Sequence, residues 1–82
     1  MLYYKVPYQV IVNSRVLAEP VFIISSLKAL SNQQIKERIT AWRKSEYPGQ
    51  IPLTIIFKEL PSQITEQQYN ILLADDSLSE HD

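Results

Sequence analysis

The side chains that could do chemistry are few, and no spacing joins them. There is one histidine, His81, beside the last residue, and there is no cysteine. That removes histidine-based triads, thiolate nucleophiles, thiolate zinc sites and disulfides. The single glycine, Gly49, cannot build a glycine-rich loop that cradles phosphate. General acid–base work needs two groups whose surroundings drive their pKa values apart. Glu19, Glu37, Glu46 and Glu59 fall in different elements or on a polar helix face, and carboxylates cluster only at Asp75, Asp76, Glu80 and Asp82. The expectation is a protein that is not an enzyme, with no catalytic, cofactor-binding or metal-binding residues and no cofactor.

What remains is binding chemistry, and two stretches offer it. Lys36, Arg38, Arg43 and Lys44 lie in one helical segment that also holds Trp42, with Tyr47 just beyond. Basic groups beside aromatic rings can grip a phosphate backbone and stack a base. Glu37 and Glu46 dilute that charge, Arg43 and Lys44 suit the negative end of the helix dipole, and Trp42 falls on the apolar stripe. The second candidate is apolar. Val16, Phe22 and Ile24 alternate with Leu17, Val21 and Ile23, so one set must face away from the core whatever the pairing register. With Ile11 and Ile56 on the outer face of neighbouring strands, the residues Ile11, Leu17, Val21, Ile23 and Ile56 make a candidate protein interface.

The elements that must position these groups are well signalled. Leu2, Tyr4, Val6, Tyr8, Val10 and Val12 alternate with residues that include Lys5 and Gln9, the period of a strand with one face on a core. Asn13-Ser14 is a turn signal, and residues 16–25 read as the returning strand, with breaks or bulges expected near Pro7 and Pro20. Ser31 with Gln34, and Thr65 with Gln68, have the spacing of capping boxes. They predict helices over about 32–46 and from 66 to 75 or 76. Residues 51–60 alternate again and give a third strand. The order β-β-α-β-α, with a right-handed crossover, predicts an α+β two-layer sandwich: a three-stranded sheet in the order 2-1-3 with two helices on one face.

The chain has 82 residues, 45% of them hydrophobic, which bounds it to one folded domain. That domain is expected over residues 1–76, followed by a flexible acidic tail over 77–82. Residues 75–82 hold four acids and no Lys or Arg, so the body carries eight basic against five acidic groups. No basic segment leads into an apolar run at the start, and no stretch approaches the roughly 20 apolar residues of a membrane span. A cytoplasmic protein without a membrane partner is expected. The function that fits is a non-enzymatic protein-interaction module, an adaptor, regulator or inhibitor. It would bind a protein partner, a second copy forming a homodimer, or both, through its sheet. The alternative is a small nucleic-acid binder using the basic flank of the first helix.

Overall fold

A computed structural model describes residues 1–46, 48, 49, 52–75 and 79–81. The fold is α+β and turns on one long strand, β1 (Leu2–Val12). Its partners are β2 (Arg15–Ala18), β3 (Val21–Ser26), β4 (Leu53–Phe57) and β5 (Ser62–Ile64), all antiparallel to it. Helix α1 (Asn32–Glu46) joins β3 to β4, and α2 (Glu66–Ala74) follows β5. A last strand, β6 (Ser79–His81), runs parallel to β3.

The expected order 2-1-3 holds for the strands on either side of β1, but the sheet has more than three strands: the expected second strand is split into β2 and β3, and β5, beyond the expected third strand, follows β4 on the other edge. Between β1 and β2, Asn13 and Ser14 both take positive φ, 53° and 63°. Val12 then pairs with Arg15, the two-residue loop whose twist suits a hairpin. Glu19 and Pro20 interrupt the returning strand, giving β2 and β3, and the Tyr8 N–H reaches the Pro20 carbonyl across that gap at 3.1 Å. Lys58–Pro61 interrupt the other flank, giving β4 and β5. There Pro7, which has no N–H to give, still accepts from the Lys58 N–H at 3.0 Å. A register shift between Val10 and Ile11 completes the irregularities expected near the prolines.

The expected core is in place. Tyr4, Val6, Tyr8 and Val10 of β1 pack with Phe22, Ile24, Ile35, Ile39 and Ile55 under α1. Both capping boxes form. Ser31 Oγ accepts from Gln34 N at 3.1 Å while Gln34 Oε1 accepts from Ser31 N at 2.9 Å. Thr65 and Gln68 repeat the exchange. Tyr4 adds a link from sheet to helix entry, its hydroxyl accepting from Leu30 N at 3.1 Å.

One expectation is overturned: the helices do not share a face. Val6 pairs with Phe22 and Tyr4 with Ile24 on the α1 side, so Lys5 opposite Ile23 and Tyr3 opposite Ser25 belong to the other side. That side is where α2 sits, with Tyr69 stacked on Tyr3 at 4.8 Å and tilted by 43°. Ile23 is fully buried yet stands apart from the core under α1. The molecule is therefore three layers thick at one end of the sheet. The cause is the sequence of β3, apolar at both parities, which obliges a cover on each face. The acidic end differs as well. Asp76, Ser77, Leu78 and Asp82 lie outside the described residues, but Ser79–His81, expected in a flexible tail, pair with Val21–Ile23 as β6.

Trp42 packs on the core with its ring 5.1 Å from Phe22, edge to face. Trp42→Ala should cost about 3 kcal/mol, the low end of the range for a large aromatic because the indole is only part-buried. Denaturant unfolding followed by circular dichroism would check this.

Candidate functional site

The sheet face that bears α2 is divided along β1 into three zones. The first holds Tyr3, Lys5, Ile23 and Ile64, beneath or beside α2. Here Tyr69, Leu72 and Leu73 are half-buried, no residue of α2 is fully buried, and Ile71 is 63% exposed. Burial against the helix, with Glu66 and Tyr69 close by, pushes the Tyr3 phenol up from its ordinary value. An open groove between β5 and α2 is lined by Lys5, Ser62, Ile64, Gln68, Ile71 and Leu72. Lys5 is its one titratable group, so it holds no acid–base pair.

The middle zone is a polar strap. Glu19, in the break between β2 and β3, accepts from Gln9 Nε2 at 3.1 Å and from Lys58 Nζ at 2.9 Å. Lys58 stands in the opposite break, so the ion pair crosses the central strand and ties its two flanks together. The lysine's hydrogen bond is the largest cause holding the Glu19 carboxyl below its usual value; Gln9 and the lysine's charge add to it. Both partners are nearly half exposed, which limits the strength of the pair.

Among the described residues, no helix or strand covers the third zone. Ile11 pairs with Val16 on one side and Thr54 on the other, and Gln9 pairs with Ile56. Ile11, Val16 and Ile56 therefore share this face, with Val16 51% and Ile56 44% exposed. Leu17, at the register shift in β2, is also 51% exposed beside them. Apolar residues thus stand on three neighbouring strands of this face, with Thr54 and Gln9 directly opposite Ile11 and Ile56, at the end of the sheet away from α2.

Of the interface residues expected from sequence, Leu17 and Ile56 are exposed, Ile11 and Val21 are half-buried, and Ile23 is a correction. Ile23 lies under α2 and offers no surface. Val16 was missed as a contributor because the register of the hairpin decides which residues of β2 share the face of Ile11. The signal was Asn13-Ser14, whose tolerance of positive φ favours the shortest loop.

The four basic residues are divided: Lys36 and Lys44 line one shallow groove on α1 together with Glu37, while Arg38 and Arg43 lie away from it. Arg43, expected to be exposed, is buried against the core and donates from Nη1 to the Tyr8 hydroxyl at 3.4 Å, with 6% of its surface accessible. Its long stem follows the apolar stripe, and the guanidinium meets a phenol rather than solvent. Lys36 and Arg38 are half-buried on opposite flanks of α1, and Lys44 is exposed on its outer side. Tyr47 lies outside the described residues. No group of three or more His, Cys, Asp or Glu side chains able to hold a metal occurs among the described residues. None of the described helices is long and apolar enough to cross a membrane.

Comparison with protein-family models, with curated proteins and with solved structures finds no match to this chain.

The lowered pKa of Glu19 fixes a sign for the pH response. A carboxyl titrating lower in the folded chain than in the unfolded one adds stability above its unfolded pKa and loses it as pH falls through the folded value. Stability should therefore decline on acidification below about pH 4.5, the ordinary value for this group, and Glu19→Gln should flatten part of that decline. Carboxyl NMR titration of Glu19 and unfolding at several pH values would test both; a Glu19 midpoint at or above the ordinary value would contradict the strap.

Proposed function

We propose that this chain is a non-enzymatic protein-binding module that engages its partner through the uncovered end of the sheet. The observation that carries the reading is the set of apolar residues Ile11, Val16 and Ile56 on three neighbouring strands of one face, flanked by Leu17 and bounded by the Glu19–Lys58 strap. The other end of the same face shows what such a surface does in water: it takes a helix, α2, and buries Ile23 beneath it. A face that is apolar at both ends but covered at one only leaves a seat for something else. The strap gives the seat a polar margin, as interfaces commonly have. An adaptor, regulator or inhibitor would need no more than this.

The reading is tested by affinity capture from extracts of the source cells, with the wild-type chain and Ile56→Lys as baits. Ile56 is exposed, so the lysine should leave stability within about 0.5 kcal/mol. The expected result is a set of proteins held by the wild type and lost by the variant. An identical set on both baits would contradict docking at this face.

A further inference from the structure

Most of the strand edges in this sheet are guarded. The outer edge of β3 is taken by β6. β2 is four residues long, carries Arg15 and a register shift, and is followed by Pro20; charge, bulge and proline each discourage pairing. β5 has only three residues, between Pro61 and the α2 cap Thr65. β4 has none of these devices within it. Leu53–Phe57 contains no charge, pairs with β1 without a register shift, and has no strand on its outer edge among the described residues.

The direction of its backbone groups follows from one hydrogen bond. The Lys58 N–H donates to the Pro7 carbonyl, so Lys58, Ile56 and Thr54 turn their backbone groups inward to β1. By the alternation of an antiparallel ladder, Leu53, Ile55 and Phe57 turn theirs outward. We propose that a second copy of this chain pairs there, β4 against β4, antiparallel about a two-fold axis at Ile55. The inference rests on the reading of the sheet as a protein interface and names the occupant of one of its edges.

The strand is complementary to itself in that register. Leu53 meets Phe57 of the second copy, and both already lie half-buried at the rim of the core. Thr54 meets Ile56 of the second copy, a β-branched pair on exposed ground. The charge at the strand's end does not oppose the contact, because Lys58 faces Pro52 of the second copy and is neutralised within its own chain by Glu19 at 2.9 Å. A five-residue edge buries well under the roughly 1,200 Å² of a standard interface. The dimer is accordingly weak, with a Kd on the order of 100 µM.

Two measurements test it. Sedimentation equilibrium from about 10 to 500 µM, a range spanning that affinity, should show the wild-type mass rising from one chain toward two. Thr54→Lys, a guard lysine at an exposed edge position, should stay monomeric with an unchanged unfolding midpoint. The register is read by cross-linking, which the absence of cysteine makes clean. Thr54→Cys and Ile56→Cys chains fall opposite each other at a Cα spacing of about 4.5 Å, within disulfide range, whereas identical variants sit diagonally and farther apart. A mixture of the two should oxidise to a mixed dimer on the order of tenfold faster than either alone. A wild-type monomer throughout, a dimer that Thr54→Lys does not weaken, or equal cross-linking in all three samples would overturn the proposal. If the chain is monomeric yet still captures proteins that Ile56→Lys loses, the dimer fails and the docking face stands.

Discussion

Every other element of this protein depends on β1 being satisfied on both edges and both faces. A central strand of 11 residues carries a row of N–H and C=O groups on each side, and none can be buried unpaired without a cost of about 1–3 kcal/mol. No single partner runs its full length. β2 and β3 share one edge and β4 and β5 the other, and the two gaps come at Glu19-Pro20 and at Lys58–Pro61. Pro7 sits where the second gap falls, so its missing donor is not asked for by a ladder partner. The Glu19–Lys58 ion pair joins the two gaps over the strand between them.

The faces follow the same logic. The even positions of β1 are apolar throughout and hold α1 through Ile35, Ile39 and Trp42. The odd positions are mixed, and the cover they receive is mixed too. Tyr3 recruits Tyr69 and with it α2; Lys5 keeps an open groove beside that helix; Gln9 joins the polar strap; Ile11 stands between Val16 and Thr54, with no helix over it among the described residues. A small domain buries only about 60% of the surface its chain exposes, and here Val16, Leu17 and Ile56 carry part of the shortfall at one end of one face, with Leu27, Leu60 and Ile71 exposed elsewhere.

Local signals in the sequence were reliable where a short segment decides the outcome. The alternation of 2–12, the two capping boxes and the bounds of α1 are each read from a few neighbouring residues, and each is met. The break near Pro20 was legible from the proline itself, whereas β5 was not, because Pro61 reads as the end of a strand and does not say that Ser62–Ile64 re-enter the ladder. The face chosen by α2 was not legible from α2 itself. Its apolar residues Tyr69, Leu72 and Leu73 fit either side, and the decision lies in β3, whose Ile23 demands burial opposite Phe22 and Ile24. Arg43 was read as a phosphate contact or a partner of the helix dipole, and its burial was not foreseen. Yet it lies beside the stripe of Ile35, Ile39 and Trp42, where a long stem can bury and reach a phenol.

The claim on which the rest depends is that the two faces of the sheet are covered by different helices, leaving the Ile11–Ile56 end open. Isoleucine methyl groups report on it directly, since they occur in both cores and on the open surface. In dilute solution with a soluble paramagnetic probe, the Ile56 methyl should relax strongly and Ile11 to an intermediate degree. Ile23 should be as protected as Ile24 and Ile35, in line with their burial. An Ile23 methyl as strongly relaxed as that of Ile56 would mean that α2 does not cover the second face, and would contradict the account.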